Sequence, residues 1–404
     1  MLKIGAGRRD LLIAISGRMV STFGDEVALV ALTLRLQADG AHPYEVALLL
    51  GAGILPLLLL ARPVGRLVDS RDSRALLVGA GVVAVGCTAP LIVAHSVPVI
   101  VILVALLGAS VAVSGSTWSA LIPRIVGEEH VAEAVSATQS LNALVLVGAP
   151  AVGGLLAGAF GTGLPLAVDL ASFVAVTAAA ALVRTRRRPA APGPDDHAQQ
   201  ARGGFGFLLA DEVLSPLMVS LALVVLLVGM VDVVLVFLVR ETLHAPALWY
   251  GVTQAAWMAG IVLGALGAGR LRSAGVQIWG AIAGAGVACA ALVPFAAAPA
   301  VWMLTPLSIL GGIGNGYALV CVETLLVTRT PDALRGRVSA AANAIVGGAQ
   351  GLSLLAGGAV AVALAPRAIY ALAGALGVVV ATAAGLLHAR RVAAPRRRAT
   401  GVSR

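Results

Sequence analysis

Charge is what this sequence has least of. Of its 404 residues 12% are Asp, Glu, Lys or Arg and 59% are hydrophobic, whereas a soluble globular protein carries about a quarter charged residues. Aromatic residues make up 4% and cysteines number three. Cys87, Cys289 and Cys321 all lie inside apolar runs at no metal-ligand spacing, so they read as small packing residues and not as disulfide or metal partners. A Walker lysine motif is missing, which excludes ATP as an energy source. No Ser-His-Asp or His-Glu-x-x-His pattern is present, so no enzyme activity is read. Gly311-Gly312-Ile313-Gly314-Asn315-Gly316 has no lysine and no preceding strand, so helix packing and not phosphate binding is its reading. No cofactor and no metal are expected.

What is abundant is long apolar sequence. Twelve runs are long enough to cross a bilayer as helices: roughly 11–36, 45–67, 74–95, 98–122, 133–160, 164–184, 213–240, 248–270, 275–296, 301–327, 337–362 and 366–389. The basic segment Met1–Asp10 leads into the first run with no small-residue cleavage site, which predicts a retained helix and not a signal peptide. Between the sixth and seventh runs, 184–212 is rich in Pro, Gly, Asp and Gln and reads as a flexible polar linker.

Most of the 28 Lys and Arg fall at alternate ends of these runs. Positive loops stay in the cytoplasm, so both termini are expected there. Only Arg35, Arg240 and Arg367 fall near the opposite ends, and Arg18 lies within the first run. This distribution accounts for the net charge of +9 without a nucleic-acid partner. The lipid bilayer of the inner or plasma membrane is the expected surrounding, and a monomer the expected state.

The two halves of the chain repeat at a nearly constant offset. Gly24 and Arg35 match Gly229 and Arg240, 205 apart; Gly65-Arg66-Leu67 matches Gly269-Arg270-Leu271; Val135-Ser136-Ala137 matches Val338-Ser339-Ala340; Gly153-Gly154 matches Gly357-Gly358. Four pairs in register predict a duplicated six-helix unit. The halves are placed at 1–190 and 212–404, the latter with a basic cytoplasmic tail, and the cytoplasmic linker between them at 191–211.

The polar stretch Gly65-Arg66-Leu67-Val68-Asp69-Ser70-Arg71-Asp72-Ser73-Arg74 separates two apolar runs and reads as a charged turn. It resembles the loop between helices 2 and 3 of the major facilitator superfamily, where a Gly is followed after three residues by an Asp and then by basic residues. Gly65, Asp69 and Arg74 fall on that pattern; Ser70, Asp72 and Ser73 depart from it, and Arg66 and Arg71 offer charge nearby. The resemblance extends over about residues 8–392. It implies an all-α membrane protein of twelve helices in two pseudo-symmetric six-helix bundles, working by alternating access. It also implies that Gly65, Asp69, Arg71 and Arg74 form a gate on the cytoplasmic side, with Asp69 accepting a helix N-terminus or an arginine and Arg74 reaching the opposite bundle. Glu323, near the cytoplasmic end of the tenth run, is expected to join that gate through Arg329, Arg335 or Arg337.

Few acids lie within the runs. Asp25 and Glu26 sit about 14 residues from the cytoplasmic end of the first, a little past the bilayer midplane. An acid at that depth is costly unless it faces a cavity or a partner. Two readings stand: a carboxyl that exchanges a proton, or a buried ion pair with Arg18, two helical turns away. Asp232 lies at a similar depth in the seventh run, either as a second coupling group or as a partner of Arg240. Asp169, near the outer end of the sixth run, reads as a structural interface residue.

Gly148-Ala149-Pro150-Ala151-Val152-Gly153-Gly154 is similar to the family's antiporter motif, with the Gly-Pro order altered. Small residues permit close helix approach, and the resemblance associates this packing with proton-exchanging exporters. No Arg or Lys occurs from Ser96 to Pro123, so the fourth run lacks the arginine common in drug exporters. Gln139, Asn142, Gln254, Trp257, Asn315 and Tyr317 are candidates to line a cavity for amphipathic molecules. The expected function is secondary export of small amphipathic molecules coupled to protons. Uptake or exchange of a nutrient by the same fold, and a membrane receptor that no longer transports, are the alternatives.

Overall fold

The computed structural model describes residues 8–186, 197–269 and 273–399, and those residues hold helices and turns with no strand. The matched tripeptide at 269–271 and the arginines at 187–188, 270 and 272 lie wholly or partly outside them. Two compact units form, Met1–Pro194 with Leu235–Ala255, and Asp195–Val234 with Ala256–Arg404.

In the first unit, α1 (Arg8–Ala38) packs on α6 (Val131–Phe160) and α7 (Gly163–Leu182). Pro43–Leu59 forms α2, Ala61–Ser70 α3, Ser73–Leu91 α4 and Val97–Val126 α5. The run placed at 45–67 is one bent pair, α2 and α3 meeting at 55°. Pro63 explains the break, because its ring clashes with the carbonyl four residues back, at Leu59, and it has no N–H to continue the ladder.

This corrects the expected charged turn. Residues up to Ser70 are helical, and only Arg71 and Asp72 separate α3 from α4. On α3, Val64 and Val68 are buried one turn apart and pack on Ala112 of α5, while Arg62, Arg66 and Asp69 are exposed. A helix with one apolar stripe is the cheaper state for that pattern. Asp72 then caps α4, accepting from the backbone N–H of Arg74 at 3.0 Å and of Ala75 at 3.2 Å.

At the far end of α1, Arg35 is buried and donates to the carbonyl oxygens of Leu91, Ala94 and Ile92 and to the Thr162 hydroxyl. The three carbonyl bonds satisfy the open C-terminal end of α4, and the fourth ties α1 to the start of α7. At the near end, Asp10 accepts from the backbone of Arg184 and Thr185 and from the Thr185 hydroxyl, tying the start of α1 to the end of α7.

The second unit begins with a helix where a flexible linker was expected: α8, His197–Ala210. Its C-terminal half, Phe205–Ala210, is apolar apart from Gly206, and Leu208 is buried in a core with Leu214, Met218, Leu325 and Ala341. Burying those side chains favours helix over open chain. Helices α9 (Leu214–Phe237) and α10 (Ala247–Ala268) are divided, with Leu235–Ala255 belonging to the first unit, and the second unit continues with α11 (Ala274–Ala290), α12 (Leu304–Arg329), α13 (Arg335–Val360) and α14 (Pro366–Ala399). Asp211 caps α9, accepting from Val213 and Leu214 N–H at 2.8 Å each, and pairs with Arg329 at 3.5 Å. Burial alone would raise its affinity for a proton. The two backbone bonds and the Arg329 guanidinium outweigh that and hold the carboxyl below its usual range.

Among the described residues ten helical segments are long and apolar enough to cross a membrane, and the bent pair makes eleven. Helix α1 is not among them: its 31 residues reach roughly 46 Å, but Arg18, Asp25, Glu26 and Arg35 lie within its apolar run.

The internal repeat has a packing counterpart in each unit. In the first, a Cβ at Gly153 would lie 3.1 Å from Val27 Cα; in the second, a Cβ at Gly357 would lie 3.0 Å from Met230 Cα. Glycines 204 residues apart thus bring the same pair of helices, α6 with α1 and α13 with α9, to the same separation.

Candidate functional site

The polar centre of the first unit is built on Gly24. A Cβ there would stand 2.6 Å from Asp169 Oδ1 and 2.9 Å from Ser172 Cβ. Glycine at this position therefore lets α7 lie directly on α1 and carries Asp169 to the residue next to Asp25. Asp169 is fully buried. The Ser172 hydroxyl donates to the Asp169 backbone carbonyl at 2.7 Å and lies 3.3 Å from Oδ1. Asp169 Oδ2 and Asp25 Oδ1 are both buried with no hydrogen-bond partner.

Two cavities meet at Asp25. One, of about 170 Å³, is bordered by Asp25, Glu26 and Asp169 against Leu29, Leu32 and Val104. The other, of about 110 Å³, is bordered by Asp25, Arg18, Ser21, Thr22, Ser110 and Trp118. Arg18 and Asp25 share that wall, as their two-turn spacing on α1 requires, yet among the described residues no ion pair joins Arg18 to Asp25 or to Glu26. Trp118 is buried in a core with Leu121 and Leu11. The sequence places Asp169 on α7 but gives no sign that it meets Asp25, since the two are 144 positions apart. The Gly24-Asp25 dipeptide was the one available signal, because a glycine beside a buried acid leaves room for a neighbour.

The other predicted residues lie elsewhere. Asp232 is half-buried on α9 in the second unit. Arg240 donates to the Ala245 carbonyl at 2.7 Å. A guanidinium nitrogen of Arg74 donates to the Val183 carbonyl at the end of α7, so it serves its own unit, where the opposite bundle was expected. Gly65 has open space around it, and Arg71 is exposed. Asp69 is exposed and engaged with a neighbouring group. Glu323 is exposed, while Arg329 pairs with Asp211 and Arg335 with Asp332 at 2.8 Å; these arginines have nearer acids than Glu323. Gln139 is exposed, and Asn142, Gln254, Trp257, Asn315 and Tyr317 are half-buried. None of the six borders either cavity at Asp25. Trp257 instead lies against Gly311, where a Cβ would meet its ring.

In the helix-packing motif the glycines divide. Gly153 faces Val27, and Gly154 faces the backbone of Ala247 and Gly251 on α10, while a Cβ at Gly251 would collide with the Pro150 carbonyl. Gly148 has nothing within 4 Å. Gly148→Ala is therefore expected to be neutral or to stabilise by about 0.5 kcal/mol, through helix propensity. Gly251→Ala is expected to cost about 1–3 kcal/mol by overpacking. Thermal unfolding of the two purified variants in detergent separates them, and equal midpoints would refute the packing assignment.

The comparisons with known proteins agree with this architecture. The family profile described as Major Facilitator Superfamily matches residues 14–352. The chain belongs to the major facilitator superfamily. No curated protein matches it in sequence. Among solved structures it is similar to a point mutant of the nucleoside transporter NupG, with a TM-score of 0.73 at 10% identity over 94% of this chain and 100% of that one. A bacterial homologue of the iron transporter ferroportin in an inward-facing state matches with a TM-score of 0.70 at 16% identity, covering 93% and 98%. A POT family transporter in complex with a thioalcohol-conjugated peptide matches with a TM-score of 0.74 at 9% identity, covering 95% and 96%. At such identities the likeness is one of fold. This superfamily member is a multi-pass membrane transporter.

Proposed function

We propose that this transporter exports small amphipathic molecules from the cytoplasm in exchange for protons, by alternating access, across the inner or plasma membrane with both termini cytoplasmic. The observation that carries the reading is Asp25, a half-buried acid whose Oδ1 is buried without a partner where two cavities meet. An ionisable group kept inside a membrane span without a counter-ion is costly, and such groups mark ion and substrate paths. The cavity that Asp25 shares with Glu26 and Asp169 is otherwise walled by aliphatic residues such as Leu29, Leu32, Leu91 and Val104, which suits a ligand with an apolar body. Glu26, Arg18 and Asp232 are the accompanying coupling candidates. The two six-helix halves at 1–190 and 212–404 are the bodies that alternate, and Gly65, Asp69, Arg71, Arg74 and Glu323 belong to the cytoplasmic gate. The close packing at Gly153 and Gly154 favours export over uptake.

The test is accumulation of a lipophilic fluorescent dye in energised cells carrying empty vector, the wild-type protein or Asp25→Asn, with a proton uncoupler added at the end of each trace. The wild type is expected to accumulate several-fold less dye than the vector until uncoupler is added, and Asp25→Asn to match the vector. Wild-type traces equal to the vector would overturn amphipathic export. Wild-type export that persists in Asp25→Asn would remove Asp25 from the coupling.

A further inference from the structure

The carboxyl left without a task is Asp169. It is fully buried, Ser172 serves only one of its oxygens, the other has no hydrogen-bond partner, and the residue borders the cavity it shares with Asp25. A purely structural interface residue would be satisfied, because an unpaired polar atom in a span costs several kcal/mol. The sequence also keeps Gly24 at the contact, where any larger residue would push Asp169 and Ser172 away from α1. Two acids are thus held together on two helices, and among the described residues no ion pair joins either to a cation.

The surrounding groups do not relieve the pair. Helix α1 contributes Glu26 to the shared cavity, a third acid, and Arg18 only to the neighbouring one. Helices α2, α4 and α5 present no ionisable side chain to either cavity; their lining residues include Gly53, Leu91, Val104 and Ser110. Two negative charges on the wall of one apolar cavity repel each other, and a single proton held between them removes that repulsion.

We infer that Asp25 and Asp169 hold one proton between them and form the binding site for the transported proton, a site that lies wholly within the first unit. The use of that proton rests on the proposed proton exchange; the shared proton itself does not. One carboxylate oxygen takes the proton from water, and the resulting O–H donates to the free oxygen of the other acid. Release reverses this, and no other bond is made or broken. Asp25 is the member that exchanges the proton, because it borders both cavities, and Asp169 is the member that holds it.

The purified protein in detergent tests this with dicyclohexylcarbodiimide, which adds to an un-ionised carboxyl in an apolar setting and leaves a stable N-acylurea. Peptide mass spectrometry reads the label from acid to alkaline pH. The expected result is that Asp25 and Asp169 together carry about one label per chain, divided between them and lost at alkaline pH. Asp169→Asn should lower labelling of Asp25 at neutral pH by about tenfold or more, since a lone carboxylate no longer has to share. Labels on both Asp25 and Asp169 of one chain, no label at either acid, or labelling of Asp25 unchanged in Asp169→Asn would overturn the inference. Thermal unfolding checks that Asp169→Asn is folded; if it is not, the wild-type label count decides. No substrate is involved, so a failure of dye export leaves this result standing, and a failed label count leaves export to be judged on its own traces.

Discussion

Gly312→Leu is expected to leave little folded protein. On α10 and α12, Gly260 and Gly264 face Gly312 and Gly316, two pairs at four-residue spacing. A Cβ at Gly312 would lie 2.9 Å from Gly260 Cα and 3.0 Å from Ile261 N and would collide with the Trp257 carbonyl. Every one of those atoms is backbone, so no side chain can rotate away and the helices themselves have to separate. Small residues at such spacing are how membrane helices gain van der Waals contact where lipid offers no hydrophobic drive. On the opposite face of α12, Gly314 meets Gly284 of α11 in the same manner. A shift of α12 away from α10 therefore runs into a second close contact. The cost is expected to exceed about 3 kcal/mol, the upper range for overpacking. Yield and thermal midpoint after detergent extraction measure it; a midpoint within a few degrees of wild type would refute the seam.

Gly24→Leu should remove transport even where some protein still folds. Its neighbours are the Ser172 hydroxyl and the Asp169 carboxylate, which can turn, and the Ser172 Cβ, which cannot. An added methyl is thus partly accommodated, but an isobutyl group has to displace α7. Gly24→Ala is expected to cost about 1–3 kcal/mol, and Gly24→Leu more. Both variants separate Asp25 from Asp169, so dye export should fall with side-chain size. Gly17 is the control, on the same helix and against the same neighbour: its Cβ would meet Ala179 Cβ at 3.3 Å and Val176 at 3.4 Å, tight but at side chains. Gly17→Ala should therefore cost less than Gly24→Ala. Export retained in Gly24→Leu would show that the Asp25–Asp169 juxtaposition is not needed.

Much of the architecture is legible in composition and periodicity because a bilayer simplifies the problem. A helix that must satisfy its own backbone in hydrocarbon shows itself as an apolar run, and a duplicated unit shows itself as glycines in register. Gly153 and Gly357 fulfil that reading with matching contacts to Val27 and Met230. The glycine run 311–316 likewise proves to be packing. Reading failed where a local pattern has two outcomes. The 65–74 stretch looks like a turn by charge, but its buried valines make α3. Residues 197–210 look like linker by composition, but Leu208 anchors a helix in the core. Arg74 was expected from the family resemblance to reach the opposite bundle and Glu323 from its position to pair with Arg329, Arg335 or Arg337, whereas Arg74 donates to the Val183 carbonyl and Arg329 and Arg335 pair with Asp211 and Asp332.

By itself the sequence determined that this chain lives in a membrane as a bundle of helices, that its halves repeat, and that acids inside the first span need a reason to be there. Each of these follows from the cost of polar groups in hydrocarbon, which acts on every residue separately and so can be read one position at a time. Only the tertiary structure decided which acid stands beside Asp25, that Arg18 does not neutralise it, and which glycines are irreplaceable. Those are facts about pairs of residues far apart in the chain. They depend on how closely two helices can approach, and that distance is set by the single side chain missing at Gly24.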